Sequence, residues 1–423
     1  MFAGDFDVPA AAAVAEVEEP AMLDLIDSLQ AKSLLTTRPT PFGVRYRMLE
    51  TLRAYSHDKL IALGEIEAVR DRHASFYTAR WDPVDRYEEA NLKVLEVIAD
   101  MDNLRAASAW TDARGQHQQS IRLFSVVGWI ELSTSNLGRF NRGYEQLQHD
   151  RDDPHSAWAQ TLAAGAAAVG MLLHPTRDPA QAAIESSHAG VRADGLVMRA
   201  ALTAATDPAQ SLAMLDLVKQ IGGLSPMRQA WVHIGVGKAM SQIGQLDTAR
   251  RGYEDGLVLL GADADAPLLK MVALVGLAAL DLLEDQPQAA LDTLDNIEFV
   301  PPHFSTEVLR AIAFGQLGPF DAALDQLRQT SREAHLGRIP YYACPTLIGF
   351  AGLALTQGDD RHATELITAT KGIGITGHAA YWLNIADRLG CGAIVRDPAY
   401  QPRPEPELAV LLDTELEKWA IEL

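Results

Sequence analysis

Arg45-Tyr-Arg-Met-Leu-Glu-Thr-Leu-Arg-Ala-Tyr-Ser-His-Asp-Lys-Leu60 divides the chain into two unlike parts. Before it the sequence is short, mixed and turn-rich. After it almost everything reads as helix. Val44 to Met48 forms a short extended run. Leu49, Leu52, Tyr55, Ser56, Lys59 and Leu60 then follow the three-four spacing of a helix face. Three arginines, Arg45, Arg47 and Arg53, project from this joint. On spacing alone the joint is either the edge of a nucleic-acid-reading unit or a structural hinge.

Working outward to the N-terminus, Pro9 suits the first turn of a helix. Met22–Leu29 reads as a second short helix, with Leu23, Leu25, Ile26 and Leu29 apolar. Residues 33–36 read as a strand, Arg38-Pro-Thr-Pro-Phe-Gly43 as a turn, and Val44–Met48 as the returning strand. Two helices followed by a β-hairpin are the pattern of a winged helix, over residues 1–64. Phe2 and Phe6 are core candidates. In the other direction a helix ends at Gly64, a natural C-cap. A further helix carries Arg70, Arg72, His73, Phe76 and Tyr77, and another begins at Asp102.

The totals narrow the function classes. A length of 423 residues allows several domains or one long repeat array. With 48% hydrophobic and 22% charged residues, a sizeable core can be buried. The net charge of -20 argues against nucleic acid as the main partner, because phosphate neutralisation needs a basic surface. Residues 31–80 are the exception: nine Lys+Arg against five Asp+Glu leave about +4 there and about -24 elsewhere. Nucleic-acid contact is therefore expected only through residues 31–80. Cys344 and Cys391 fit neither a disulfide framework nor a metal motif, and read as reduced thiols of a cytoplasmic protein. The first twenty residues carry Asp5, Asp7, Glu16, Glu18 and Glu19 without Lys or Arg, unlike a signal peptide. The longest apolar run, Leu162–Leu173, is too short to span a bilayer, so no membrane association is expected.

Five motifs occur in order: Phe2-Ala-Gly-Asp-Phe6, Leu29-Gln-Ala-Lys-Ser-Leu34, Tyr46-Arg-Met-Leu-Glu-Thr-Leu-Arg53, Arg72-His73 with Phe76-Tyr77, and Asp102-Asn-Leu-Arg105. Together they resemble the segment that follows the nucleotide-binding module in bacterial STAND regulators, the NB-ARC-like signal-transduction ATPases of actinobacteria. The resemblance covers about residues 1–110 by motif and the rest by architecture. It implies a winged helix that joins an ATPase to a tetratricopeptide-like sensor array. It also implies that Arg45, Arg47 and Arg53 serve regulation and interdomain packing in place of DNA phosphates. The family's ATPase lies upstream of these motifs, and no G-x-x-x-x-G-K-[ST] occurs in this chain. The expectation is a sensor half whose motor, if any, is a separate P-loop ATPase partner.

The array itself is read from Ala230–Leu260. With Gly244 at the turn, Val236, Gly237, Met240, Ala249, Tyr253 and Gly256 fall where a tetratricopeptide repeat wants small or apolar residues. The same frame fits Leu277/Ala278 with Ala290, Leu294 and Ile297, and Ala311 and Phe314 with Gly318, Ala323 and Leu327. It also fits Phe350/Ala351 with Gly358, Ala363 and Ile367. The markers Gly244, Asp285, Gly318 and Gly358 lie 41, 33 and 40 residues apart, a degenerate period. Ala157–Ala189 and Leu196–Ile221 are weaker pairs. The expected order is a winged-helix-like segment at 1–64, connecting helices at 65–155, and helical repeats at 156–395. A Pro-rich linker and terminal helix at 396–423 complete it. The fold class is mainly α, an α-solenoid whose concave groove is lined by the first helix of each pair. Trp231, Lys238, Gln242 and Gln316 are the candidate contacts for a protein segment or small effector in that groove.

Signals for chemistry are weak. Gly235-Val-Gly237-Lys238 has Val232 and Ala239 where a phosphate loop needs glycine and a hydroxyl. Gly372-Ile-Gly374-Ile-Thr-Gly377 matches a dinucleotide motif literally, but the segment before it reads as helix. His149, Asp150, Asp152, Asp153 and His155 read as a solvated loop, and Glu415 and Glu417 as part of an exposed helix. No catalytic, cofactor-binding or metal-binding residue is therefore expected. The leading expectation is a non-enzymatic signalling protein. The alternative is a DNA-binding regulator acting through its basic winged-helix region.

Overall fold

The computed structural model describes residues 2–40, 43–82, 94–133, 153–157, 179–204, 207–261, 266–298, 306–337, 343–370, 378–397, 403 and 405–419. The chain is mainly α-helical and divides into two compact units. One comprises Met1–Glu131 with Gly138–Ala159, the other Leu132–Leu137 with Gln160–Leu423.

In the first unit, helices α1 (Val8–Ala15) and α2 (Glu19–Ala31) precede strands β1 (Leu35–Thr40) and β2 (Gly43–Met48). Then follow α3 (Glu50–Leu63), α4 (Ile66–Trp81), α5 (Val94–Ala99), α6 (Met101–Ala113) and α7 (His117–Ser133). Local chemistry sets the ends. The Asp7 carboxylate accepts from the Ala10 N–H and Pro9 sits in the first turn, so α1 starts there. α3 closes at Gly64, whose φ of 72° costs glycine nothing. The hairpin pairs Leu35 with Met48 through to Thr40 with Gly43, so β1 runs beyond the expected 33–36 and takes in Arg38 and Pro39. Proline is tolerated there because β1 is an edge strand. On the other side of β2, Phe6 bridges to Tyr46 through two backbone hydrogen bonds of 2.8 and 2.9 Å. Phe6, Met22, Ile26, Leu35, Tyr46, Tyr77, Trp81 and Leu104 share one core, and Phe2 stacks on Phe6 at 4.3 Å.

The second unit is a run of helical hairpins. α8 (Pro179–Ile184) packs on α9 (Ala189–Thr203), and α9 on α10 (Pro208–Lys219). The pairs α11 (Pro226–Gln242) with α12 (Leu246–Leu260), and α13 (Pro267–Leu283) with α14 (Pro287–Asp295), come next. After them stand α15 (Thr306–Leu317) with α16 (Phe320–Gly337), and α17 (Ala343–Thr356) with α18 (Asp360–Ala369). The turns within these four pairs hold Gly244, Asp285, Gly318 and Gly358, all at positive φ. Each pair can thus reverse in a few residues.

Small residues decide how close the helices come. A Cβ placed on Gly252 of α12 would stand 2.6 Å from the Gly237 nitrogen of α11, so no side chain fits between these backbones. The Tyr253 ring fills the next space and meets the Cα positions of Gly237 and, on α13, Gly276. The last elements are α19 (His378–Arg388), α20 (Gly392–Val395) and α21 (Glu405–Lys418). α21 packs on α17, where Trp419 stacks on Phe350 at 6.2 Å. Glu415 is not exposed as the sequence suggested. It is 1% exposed and holds His362 Nε2 at 2.9 Å, because α21 turns that face inward onto α17 and α18. Among the described residues no helix is long and apolar enough to cross a membrane.

Candidate functional site

The arginines of the β2–α3 joint differ sharply in surroundings. Arg45 is 6% exposed. Its guanidinium bonds to the buried Asp100 carboxylate, donates to the Asp5 carbonyl at 2.9 Å, and lies 3.7 Å from Asp7. Arg80 reaches the same two acids, at 2.7 Å from Asp7 and 3.5 Å from Asp100. The Trp81 indole N–H adds a 2.8 Å bond to Asp100. Burial works against the Asp7 charge, but the Arg80 hydrogen bond and charge outweigh it and hold the carboxyl below its ordinary pKa. Arg45 therefore faces the unit's interior and is withdrawn from any phosphate.

Arg47 is exposed and stands 3.5 Å from Asp5. Arg53 donates to the Ala3 carbonyl at 2.9 Å and pairs with Glu50 at 2.6 Å. Arg72 donates to the Val14 carbonyl and pairs with Glu16. The positive excess of residues 31–80 is thus met by Asp5, Asp7, Glu16 and Asp100, four acids from outside that window. Asn103 fastens the N-terminal strand from another side. Its side-chain oxygen accepts from the Ala3 and Gly4 N–H groups, and its amide donates to the Asp5 carbonyl. Nothing in the linear spacing marked Asp100 or Asn103 as partners.

A second charged centre corrects a sequence expectation. His155 does not sit in a solvated loop: it is buried in a helical turn over 154–157. Its Nε2 meets Asp82 at 2.7 and 2.8 Å, and its Nδ1 meets Asp153 at 3.1 Å. His149, Asp150 and Asp152 lie outside the described residues. Burial alone would lower the imidazole pKa, but the bonds to Asp153 and Asp82 and their charges raise it to about 9. The folded pKa lies above the ordinary 6.5 or so, so the pair stabilises fully below that value and is lost as pH rises through about 9. The expected result is a melting temperature that falls between about pH 6.5 and 9, and a shallower fall in His155→Gln. Calorimetry at stepped pH checks it; equal slopes for both proteins would refute the assignment. Among the described residues no group of three or more His, Cys, Asp or Glu side chains is placed to hold a metal ion.

The array candidates come next. Trp231 is half-buried and packs on the cluster of Ala193, Leu196, Val197, Val218 and Val232. Lys238 lies one turn from the end of α11, half-buried, and burial lowers its ammonium pKa to about 8. Gln242 is 4% exposed. Gln316 donates its amide to the Leu282 carbonyl at the end of α13, 3.2 Å away. Its side-chain oxygen is buried without a hydrogen-bond partner among the described residues. Trp231, Lys238 and Gln242 stand on α11 and Gln316 on α15. The Gly235–Lys238 segment is the middle of α11, and Gly372–Gly377 lies outside the described residues.

Helix α19 was not foreseen. It packs on the preceding helix α18 and also against α11, α13 and α17, first helices of three different pairs. Asn384 of α19 donates to the Ser241 carbonyl on α11 at 2.9 Å, across 143 residues of sequence. Arg396, beyond α20, adds a 3.5 Å contact to the Gln242 carbonyl. Tyr381 reaches α17, where a Cβ on Gly352 would stand 3.2 Å from its hydroxyl. The Trp382 indole donates to the Ile367 carbonyl at 2.9 Å. Tyr381, Trp382, Leu383 and Ile385 are all buried. Burying four large apolar side chains stabilises by on the order of 6–12 kcal/mol in gross terms. The face of α11, α13 and α17 turned toward α19 is thus covered by the chain itself.

The chain is 35% identical over 141 residues to proteins provisionally named HTH-type transcriptional regulators, in Mycobacterium bovis and in two strains of Mycobacterium tuberculosis. The match takes in 32% of this chain, and it spans only 16% of the length of those relatives. No protein-family model and no solved structure matches. Over those 141 residues the chain is thus similar to proteins named as transcriptional regulators, and its own described residues are mainly helical.

Proposed function

We propose that the chain is the sensor, or protein-interaction, half of a STAND-type transcriptional regulator. Residues 1–64 form a winged-helix-like segment, 65–155 connecting helices, and 156–395 a tetratricopeptide-like array. Residues 396–423 add a linker and terminal helix. The observation that supports this reading best is the run of four hairpins with left-handed turns at Gly244, Asp285, Gly318 and Gly358. It stands behind a two-helix and β-hairpin unit, in a chain similar to named transcriptional regulators. The action is recognition without catalysis or cofactor: a protein segment or small effector binds the array in the cytoplasm and biases a P-loop ATPase carried on another polypeptide or segment. In-cell crosslinking of the tagged full chain tests this. The expected result is a P-loop ATPase or a regulator recovered with the wild type and lost when the array is disrupted by Gly252→Val. Recovery that is unchanged by that substitution would sink the proposal.

A second reading, direct DNA binding through residues 31–80, draws on the helix-turn-helix regulator name of the relatives and on the exposed Arg38 and Arg47 of the hairpin. Electrostatics weighs against it, because four outside acids already answer the local excess. In fluorescence anisotropy with a 30-base-pair duplex at physiological salt, the expected result is no saturable binding below about 1 μM, the tight end of ordinary non-specific affinity. Tight binding abolished by the double substitution Arg38→Glu, Arg47→Glu would instead establish this reading.

A further inference from the structure

We propose that the cleft between α4 and α7 is a binding site for a small hydroxylated oxyanion, a carboxylate or phosphate ester on a polyhydroxylated carbon frame. The site lies within the first unit, so it stands apart from the sensor reading of the array.

Helical spacing puts the lining in place. Ser75, Thr78 and Ala79 stand at i, i+3 and i+4 on one face of α4, and Gln118, Gln119 and Arg122 at i, i+1 and i+4 on α7. Between them the cleft holds about 340 Å³, at the lower end of the range for small-molecule sites. Every lining side chain but Ala79 carries a hydroxyl, amide or guanidinium group, and none is acidic.

Charge selects an anion. The Arg122 side chain is 45% exposed and lies 4.0 Å from Asp82. Asp82 is itself buried, and His155 Nε2 meets both its oxygens at 2.7 and 2.8 Å. Arg122 thus stands at the limit of ion-pair distance from that acid, and its guanidinium fork is open to an oxyanion in the cleft. Gln118 and Gln119 lie in the first turn of α7, the end of a helix that favours negative charge.

The neutral groups select hydroxyls. Gln119 reaches across the cleft and donates to Ser75 Oγ at 3.4 Å and to Thr78 Oγ1 at 3.3 Å. Both bonds are longer than the roughly 2.9–3.0 Å usual for N–H···O, so a ligand hydroxyl takes the amide over at little cost. Thr78 Oγ1 already donates to the Ala74 carbonyl at 2.7 Å, which leaves it as an acceptor for a ligand O–H. The exposed Ser75 and Gln118 supply further polar groups at the rim. A bare inorganic anion would engage Arg122 and leave these groups unused.

Isothermal titration calorimetry of the full chain at neutral pH tests the site with four probes: gluconate, glucose 6-phosphate, glucose and inorganic phosphate. At least one of the two sugar anions is expected to saturate with a Kd of about 1 mM, ordinary for a small ligand in an open polar cleft, and the tighter one tells carboxylate from phosphate ester. Glucose and inorganic phosphate are expected to bind about tenfold more weakly than that ligand, since each offers only half of the recognised chemistry. Arg122→Gln is expected to weaken the sugar anion about tenfold, and Arg122→Lys, which keeps the charge without the fork, by less. Gln119→Ala and the exposed Gln118→Ala are expected to weaken it about threefold each, and they carry the test if Arg122→Gln proves less stable. Three results overturn the proposal. They are heats of dilution alone from both sugar anions, sugar-anion binding that none of these variants weakens, and inorganic phosphate binding as tightly as either sugar anion.

Discussion

Arg45→Ala lowers the stability of the first unit by roughly 3–5 kcal/mol, the usual cost of removing one partner from a buried charge cluster. The cost falls on Asp100. Its carboxylate is fully buried, and Arg45 supplies one of its closest contacts. Arg80 stays within 3.5 Å and the Trp81 indole within 2.8 Å, which keeps the loss at the lower end of that range. The Asp5 carbonyl loses a donor as well, so the N-terminal strand loosens from β2. Arg47→Ala is the control. That side chain is 65% exposed and 3.5 Å from Asp5, so the change stays within about 0.5 kcal/mol. Hydrogen exchange in α4 and α6 of the full chain reads both. Equal protection in the two variants would show that the Asp100 cluster does not hold the unit together.

Tyr253→Ala is the largest single lesion expected in the array, again about 3–5 kcal/mol, as for other large aromatic truncations. Three glycines explain why the site cannot collapse around the loss. Gly237 and Gly252 already bring α11 and α12 into backbone contact, and Gly276 faces the ring from α13. The helices are held at their spacing by this ring and cannot close over a void. Tyr253→Phe separates shape from polarity. It keeps the ring and gives up only the hydrogen bond to Ser241, which opposes a burial that pushes the phenol up to about 12. Its cost is about 1 kcal/mol. Urea titration followed by circular dichroism measures both. If Tyr253→Phe were as damaging as Tyr253→Ala, the packing account would be wrong.

Much of this was legible because it is local. Gly64 ends α3, Pro9 opens α1, and Gly244, Asp285, Gly318 and Gly358 make the turns. Each follows from backbone conformations that a short window contains. The partners of Arg45 were not legible, since Asp100 is 55 residues away in sequence. Counting residues 31–80 alone suggested a basic surface, whereas the acids that answer it come from Asp5, Asp7, Glu16 and Asp100. The same limit hid α19. Its periodicity is that of an ordinary amphipathic helix, and only the long-range packing of the chain decides that it meets α11. Gln242 and Gln316 were placed by a repeat frame that could not anticipate that one would be buried and the other spent on the Leu282 carbonyl.

The bond from Asn384 to the Ser241 carbonyl also bears on how the array unfolds. A linear stack frays from its ends, because each hairpin answers only to the next. A contact closed over 143 residues ties a late element to an early one, so fraying at α17 is felt at α11. Such closure is slow to form and raises cooperativity once formed. Loss of the Asn384 bond is therefore expected to lower the cooperativity with which the array unfolds, beyond its local cost at α19.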